Sequence, residues 1–173
     1  MTSSLKVSSK TNLIVKCAIV AAMAYILSQI RIYKMPQGGS VTLVCVPLAI
    51  ISIAEGAKAG IITGVLLGVL EIITTGYIVG PVQAVLDYPL AYSSIAISAL
   101  GGKYIGIRLA LSVVAAFFVK LALHILSGLL FFKATPWYSF VYNISFLAPE
   151  MLLTVTALYY MMARRIIDKI GKI

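Results

Sequence analysis

Residues able to do chemistry are rare in this chain, and the most conspicuous of them is the aspartate at position 87. Asp87 lies between Pro81 and Tyr92 at the start of a long apolar stretch, and Tyr88 follows it directly. A carboxylate at the edge of such a segment is costly unless a cation or hydrogen-bond donors meet it. The position therefore indicates a ligand contact. A second interpretation is a helix cap, because acids are favoured at helix N-termini.

Further polar and aromatic side chains occur in other apolar stretches. They are Glu71, His124, Trp137, Tyr138, Tyr142 and Asn143. Carboxylates, aromatic rings and an amide together suit a flat, nitrogen-rich, cationic small molecule, because a positive charge is attracted both to π faces and to acids. The set predicts a binding pocket rather than a catalytic centre. One or two of Trp137, Tyr138 and Tyr142 could instead form an aromatic belt at the membrane surface.

The composition identifies the elements that must hold these residues as membrane helices. Of 173 residues, 61% are hydrophobic and only 11% are charged, whereas a soluble domain has roughly 45–50% and 25%. A spanning helix needs about 20 apolar residues, so the sequence predicts an all-α, six-helix membrane protein folded as a single domain, 1–173. The predicted helices are at about 11–31, 41–54, 58–75, 83–100, 106–132 and 138–163, separated by clusters of glycine and proline.

The basic residues predict the orientation of the helices. With the N-terminus inside, ten basic residues fall on the inner side and three on the outer side, which is a clear positive-inside bias. The inner ones are Lys6, Lys10, Lys16, Lys58, Lys103, Arg108, Arg164, Arg165, Lys169 and Lys172, and the outer ones are Arg31, Lys34 and Lys133. Both termini are then cytoplasmic. The net charge of +9 is explained by topology and anionic lipid, without nucleic acid as a partner.

This orientation places the rare polar residues at one depth, in the outer half of the membrane. Helical spacing adds to the convergence. Predicted stripes contain Asp87, Ala91, Ser94 and Ser98 on the fourth helix, Lys120, His124, Gly128 and Phe132 on the fifth, and Ser139, Asn143, Phe146 and Glu150 on the sixth. For Lys120 and Glu150 we expect an ion pair within the bundle.

Several functional classes receive little support from the residues. The single histidine and the absence of Gly-x-Ser-x-Gly or His-Glu-x-x-His weaken a hydrolase that would use His124 with Ser127 or Asp87. No phosphate-binding Gly-Lys-Ser/Thr loop is present, so any ATPase must be another subunit. No inverted repeat of a secondary transporter is visible. Cys17 and Cys45 lie in apolar runs and predict neither a disulfide nor a metal site.

Several short motifs in a fixed order resemble one family of membrane receptors. They are GAKAG at 56–60 after Pro47, PVQ at 81–83, LDYPLAY at 86–92, HILSG at 124–128 and YSFVYN at 138–143. Together they resemble the thiamine-specific S component (ThiT type) of energy-coupling-factor (ECF) vitamin transporters, over nearly the whole chain. The resemblance implies a plasma-membrane receptor of a prokaryote that binds thiamine from outside, is not an enzyme and carries no cofactor. Its partners would be a transmembrane coupling protein and two cytoplasmic ATPases.

The resemblance also implies roles for individual residues. Asp87 would face the thiazolium and aminopyrimidine. Lining residues would be Tyr88, His124, Gly128, Phe132, Tyr138 and Asn143, with Tyr77 and the 33–39 loop as an outer lid. The face formed by Ala18, Ala21 and Ala22 would dock on the coupling protein, since small residues let another helix approach closely. Because the family often has glutamate where this chain has Asp87, a smaller pyrimidine or thiazole precursor stays open as the ligand.

Overall fold

The chain folds into six helical stretches and one short hairpin within the residues that the computed structural model describes, 9–36, 38–74, 77–103 and 105–164. In chain order they are α1 (Ser9–Gln29), β1 (Tyr33–Lys34), β2 (Ser40–Val41), α2 (Cys45–Glu55), α3 (Ala57–Thr74), α4 (81–101), α5 (Ile107–Phe131) and α6 (Pro136–Ala163). The helix ends differ from the predicted ones by up to four residues. Lys6, Arg165, Lys169 and Lys172, which entered the charge count, lie outside the described residues, as does Thr75 at the predicted end of the third helix.

The all-α membrane architecture is confirmed. Among the described residues, four helices are long and apolar enough to cross a bilayer: Lys10–Gln29, Ala57–Thr74, Ile107–Phe131 and Pro136–Ala163. Cys45–Glu55 is a shorter apolar helix. Many large apolar side chains on these helices are exposed, as the lipid-facing side of a membrane bundle requires. Six crossings, with both termini inside, remain the prediction of the sequence.

The fourth helix differs most from the sequence prediction, which was a regular helix over 83–100. It begins with α-helical Pro81–Val85, continues as a π-helical turn at Leu86–Leu90, returns to α at Ala91–Ser93 and ends as a 3-10 helix at Ser94–Gly101. Pro89 lies inside the π-helical turn. Because proline cannot donate a backbone hydrogen bond, it disrupts the regular α-helical ladder there. Such turns are frequent at functional sites.

A two-stranded hairpin lies between α1 and α2, mostly in the stretch predicted as a connection, and it takes up Val41 at the predicted start of the second helix. Tyr33 pairs with Val41 and Lys34 with Ser40 in antiparallel register. The turn sequence Pro-Gln-Gly-Gly at 36–39 favours this reversal, and Gly38 adopts a positive φ of 102°, which glycine accepts without strain. The first helix therefore ends before Arg31, and the second begins four residues later than predicted.

Glycines on α3 bring that helix into backbone contact with α4. A Cβ atom at Gly64 would lie 2.6 Å from the backbone nitrogen of Ser93, and one at Gly68 would meet Pro89. The glycines of α3 thus pack within the bundle. The contact holds the π-helical turn of α4, which contains Asp87 and Tyr88, against α3.

Candidate functional site

A large cavity opens among α3, α4, α5, α6 and the hairpin. Its volume is about 980 Å³, at the upper end of the roughly 300–1,000 Å³ of small-molecule sites. Its lining includes Ser28, Arg31, Lys34, Gly39, Thr42, Glu71, Tyr77, Gln83, Asp87, Tyr88, Tyr92, Lys120, His124, Ser127, Gly128, Phe132, Lys133, Tyr138, Ser139, Tyr142, Asn143, Phe146 and Glu150. The cavity is large enough for a two-ring ligand.

The carboxylate of Asp87 is the centre of a hydrogen-bond network in this cavity. Its Oδ2 accepts from Gln83 Nε2 at 2.7 Å and from Ser127 Oγ at 2.7 Å. Its Oδ1 lies 3.0 Å from His124 Nδ1. A carboxylate has about four lone-pair sites, so these three donors fix its orientation and leave acceptor capacity for a ligand. Asp87 and His124 both keep about 15% of their side-chain surface exposed.

The local fold of α4 explains how Asp87 reaches this position. The helix begins at Pro81 after Gly80, and no side chain caps it. Asp87 lies in the following π-helical turn, one turn beyond Gln83. Its partners are side chains rather than the free N–H groups of a helix start. The capping interpretation of Asp87 is therefore wrong.

Aromatic rings form a second part of the cavity lining. Tyr138 stacks on Tyr142 with centroids 6.3 Å apart, and Phe146 makes edge contacts with both Tyr142 and His124. The hydroxyl of Tyr142 also accepts a hydrogen bond from the backbone of Gly39, at 3.1 Å. The hairpin is thus attached to the aromatic residues of α6. Such faces suit flat or cationic rings.

Asn143 lies deeper on α6, with only 7% of its surface exposed. Its Nδ2 donates to the carbonyl oxygen of Ser139 at 2.8 Å and approaches the hydroxyl of the same residue at 3.4 Å. The amide nitrogen is therefore engaged within its own helix. Its carbonyl oxygen is the atom suited to accept a hydrogen bond from a ligand amino group.

A buried ion pair lies among the deep lining residues. Lys120 Nζ is 2.8 Å from Glu150 Oε2, and both side chains are at least 95% buried. Thr42 donates to the other carboxylate oxygen of Glu150 at 2.9 Å, and Lys120 Nζ is 3.2 Å from the sulfur of Cys45. The predicted pairing of Lys120 with Glu150 is confirmed. It connects α2, α5 and α6 at the cavity.

Charge is distributed unevenly over the cavity lining. The exposed cations Arg31, Lys34 and Lys133 line its outer part, whereas Glu71 and Asp87 are buried or half-buried within it. Ser28 donates a short hydrogen bond to Glu71. Since the charges of Lys120 and Glu150 compensate each other, the interior has an anionic excess and suits a cationic group.

Nine of the ten predicted ligand contacts line this one cavity: Tyr77, Asp87, Tyr88, His124, Gly128, Phe132, Tyr138, Tyr142 and Asn143. Trp137 differs. It is 73% exposed and stacks on Phe140 at 5.9 Å, and it is absent from the lining. Its placement fits an interfacial aromatic residue, and we correct the prediction accordingly.

The three alanines predicted to dock a partner do not share one surface. Ala18 and Ala22 are exposed, whereas Ala21 is 1% exposed and belongs to the hydrophobic core. Ala21 is thus unavailable to a partner, because its side chain packs inside the bundle. Ala18 and Ala22 stay predictions for the docking face.

Two lining residues that touch Asp87 were not among the predicted contacts. Gln83 precedes Asp87 by four positions and Ser127 follows His124 by three, so helical spacing could have identified both. Ser127 donates to Asp87, and His124 contacts the same carboxylate through Nδ1. This arrangement differs from a nucleophile paired with its base, which acyl-transfer chemistry requires. Among the described residues, no group of three or more His, Cys, Asp or Glu side chains could hold a metal ion.

Comparison with known proteins agrees with the geometry. The family model described as "Thiamine transporter protein (Thia_YuaJ)" matches residues 14–168. The chain belongs to this thiamine transporter family. It is 36% identical to the thiamine transporter ThiT of Bacillus subtilis (strain 168) over 179 residues, covering 89% of this chain and 93% of that protein. The predicted family resemblance is therefore confirmed.

Solved structures share the fold. A structure of ThiT from Listeria monocytogenes superposes with a TM-score of 0.74 at 24% identity, covering 95% of this chain and 98% of that one. The S component of a bacterial ECF transporter gives a TM-score of 0.62 at 16% identity, covering 94% and 99%. This member of the thiamine transporter family therefore has the S-component fold and is a multi-pass protein of the cell membrane.

Proposed function

We propose that the chain is the substrate-binding S component of an ECF transporter and that it binds thiamine in the cavity around Asp87. The observation that carries the proposal is the oriented carboxylate of Asp87, held by His124, Gln83 and Ser127 in a chain of the thiamine transporter family. Thiamine combines a cationic thiazolium ring with a flat aminopyrimidine. An anionic, aromatic-lined cavity is complementary to both rings.

Individual residues receive roles in this proposal. Asp87 attracts the thiazolium charge or accepts from the pyrimidine amino group, and Tyr138 and Tyr142 supply ring faces. Asn143 accepts a hydrogen bond through its amide oxygen. His124, which contacts Asp87 through Nδ1, presents its remaining ring nitrogen as a further polar contact. None of these roles includes bond making or breaking, so the proposed subunit is a receptor and not an enzyme.

The energy for uptake comes from separate subunits in this proposal. A transmembrane coupling protein would dock on α1 through Ala18 and Ala22, and two cytoplasmic ATPases would supply ATP hydrolysis. The fold shared with an ECF S component supports this assignment. The ligand enters from the outer side, where the hairpin and Tyr77 line the cavity mouth.

Isothermal titration calorimetry on the detergent-purified chain tests the proposal directly. We expect saturable binding of thiamine at submicromolar concentration and none of riboflavin or biotin. Oxythiamine replaces the pyrimidine amino group with an oxygen, so we expect it to bind at least about tenfold more weakly if Asp87 or Asn143 accepts from that group. Because Trp137 lies outside the cavity, calorimetry is preferable to tryptophan fluorescence.

Two results would contradict the thiamine assignment. One is the absence of both heat and thermal stabilisation with excess thiamine, since a ligand at 100 times its Kd stabilises the folded state by about 2.7 kcal/mol. The other is tighter binding of a pyrimidine or thiazole precursor than of thiamine itself. Uptake of labelled thiamine in cells with and without the coupling subunits tests the partner assignment separately.

A further inference from the structure

Gln83 is a buried lining residue of the cavity with three hydrogen bonds. It is 2% exposed, in the first turn of α4. Its Oε1 accepts from the backbone N–H of Val79 at 2.9 Å, and its Nε2 donates to the carbonyl oxygen of Tyr77 at 3.1 Å and to Asp87 Oδ2 at 2.7 Å. Both N–H donors of the amide are therefore used. Because Oε1 accepts from Val79, the NH₂ group of the amide is the end that faces Asp87.

The segment that Gln83 holds, residues 77–79, carries part of the cavity mouth. The ring of Tyr77 stacks on Phe132 with centroids 6.1 Å apart and an interplanar angle of 25°. The backbone N–H of Tyr77 donates to the hydroxyl of Tyr88 at 2.7 Å. The backbone of Tyr77 is thus bound on its N–H by Tyr88 and on its carbonyl by Gln83. A shift of this segment must alter the hydrogen bonds of Gln83.

We propose that Gln83 is a positioning residue that couples the 77–79 segment to the orientation of the Asp87 carboxylate, and so sets ligand affinity through Asp87. The proposal rests on the proposed function, because Asp87 is the ligand's counter-charge there. The amide of Gln83 is hydrogen-bonded both to the 77–79 segment and to the carboxylate of Asp87. Only a side chain with both a carbonyl oxygen and an NH₂ group can accept from Val79 while donating to Tyr77 and Asp87.

A double-mutant cycle separates this role from a merely structural one. Gln83→Leu removes all three hydrogen bonds at similar volume, and we expect it to weaken thiamine binding by about 10- to 30-fold, as the loss of a hydrogen bond to a charged group would. In an Asp87→Ala background the same change should cost less than about threefold, because the carboxylate through which Gln83 acts is absent. Equal fold-changes in both backgrounds would overturn the proposal.

The ligand selectivity of the variants is a second measurement, and general destabilisation of the fold would not change it. We expect Gln83→Leu and Asp87→Asn both to reduce the preference for thiamine over the neutral 4-amino-5-hydroxymethyl-2-methylpyrimidine. The matched control is Thr63→Val, which removes a buried hydrogen bond to Ala59 at a position outside the cavity lining. It should lower the melting temperature without changing this preference. A preference retained in Gln83→Leu would contradict the coupling.

Amide hydrogen exchange tests the coupling without any ligand. Gln83→Leu should raise exchange at Val79, whose N–H loses its acceptor, and Asp87→Ala should raise it too, because coupling is reciprocal. Unchanged exchange at Val79 in Asp87→Ala would overturn the coupling even if the parent protein bound no thiamine. Failure of the proposed function would instead appear as a parent without binding, so the two failures are distinguishable.

Discussion

Replacing Asp87 by asparagine isolates the contribution of its charge, because the surrounding donors can adapt to an amide. The asparagine carbonyl can keep the hydrogen bonds from Gln83 and Ser127, whose distances are both 2.7 Å. Its NH₂ group then faces His124 Nδ1, which lies 3.0 Å from the Asp87 carboxylate in the parent protein. That ring nitrogen can accept a hydrogen bond after a change of tautomer. We therefore expect the fold to be retained and the stability of the ligand-free protein to change by less than about 1 kcal/mol.

The expected loss of affinity follows from the charge that is removed. Two unit charges about 4–6 Å apart interact by about 3–4 kcal/mol at an effective dielectric constant of 20. The Asp87 side chain is 16% exposed, so water screens part of this interaction and we take about 2–3 kcal/mol. At 1.36 kcal/mol for each factor of ten, thiamine should bind about 30- to 150-fold more weakly.

Calorimetry with a cationic and a neutral ligand checks this reasoning. Thiamine should lose the full factor, whereas the neutral hydroxymethylpyrimidine should lose less than about fivefold, because it carries no charge for Asp87 to attract. A suitable control is Glu55→Gln, which removes a carboxylate paired with Lys16 at 2.8 Å away from the cavity. Thiamine affinity within threefold of the parent, or an equal loss for both ligands, would refute the electrostatic role of Asp87.

Three further predictions concern the framework around the cavity. Lys120→Met should lower the thermal unfolding midpoint strongly, because an unpaired buried Glu150 costs about 3–5 kcal/mol. Gly64→Leu should prevent α3 from seating on α4, seen as loss of a monodisperse peak in size-exclusion chromatography, since even a Cβ atom would approach Ser93 N to 2.6 Å. Ala18→Trp, at an exposed position, should leave thiamine affinity unchanged and reduce uptake in cells at least about tenfold by blocking close helix approach.

Each of these predictions has its own control. Adding Glu150→Leu to Lys120→Met should restore much of the lost stability, and a double variant as unstable as the sum of the single ones would contradict the pairing. Gly80→Ala should be tolerated, because nothing lies within 4 Å of a Cβ atom there; a tolerated Gly64→Leu would count against tight packing. Leu152→Trp, at a residue 64% exposed on α6, should leave uptake unchanged. Normal uptake with Ala18→Trp would remove α1 from the docking surface.

Regular helices were the part of the site that the sequence predicted well. Lys120, His124 and Gly128 on α5 and Phe132 directly after it all line the cavity, because an unbroken α-helix keeps residues four apart on one face. The same holds on α6 for the stripe that begins at Ser139. Its other members, Asn143, Phe146 and Glu150, line the cavity too.

The fourth helix shows why the lining residues on α4 could not be predicted from helical spacing. The predicted stripe placed Ala91, Ser94 and Ser98 beside Asp87, but none of these three lines the cavity. A π-helical turn followed by a 3-10 segment changes the angle between successive residues, so Tyr88 and Tyr92 line it instead. Where the helix changes type, a 3.6-residue period no longer indicates which residues share a face.

The hairpin and Trp137 illustrate a different limit. Strands of two residues are too short for an alternating pattern to reveal them, and only the turn residues at 36–39 marked the reversal. Trp137 was predicted as a ligand contact from its residue type, as one of the aromatic rings that suit a cationic ligand. Adjacent residues on a helix lie about 100° apart, so a neighbour of a lining residue need not line the cavity itself.

The glycine contacts between α3 and α4 have a mechanical consequence. With the backbone at Gly64 and Gly68 directly against α4, interlocked surfaces oppose sliding of one helix along the other, as packed interfaces do in general. The two helices would then move as one rigid body, with Asp87 keeping its place relative to α3. The hairpin and the segment 77–79 are held differently, by side-chain hydrogen bonds between Tyr142 and Gly39 and between Gln83 and Tyr77.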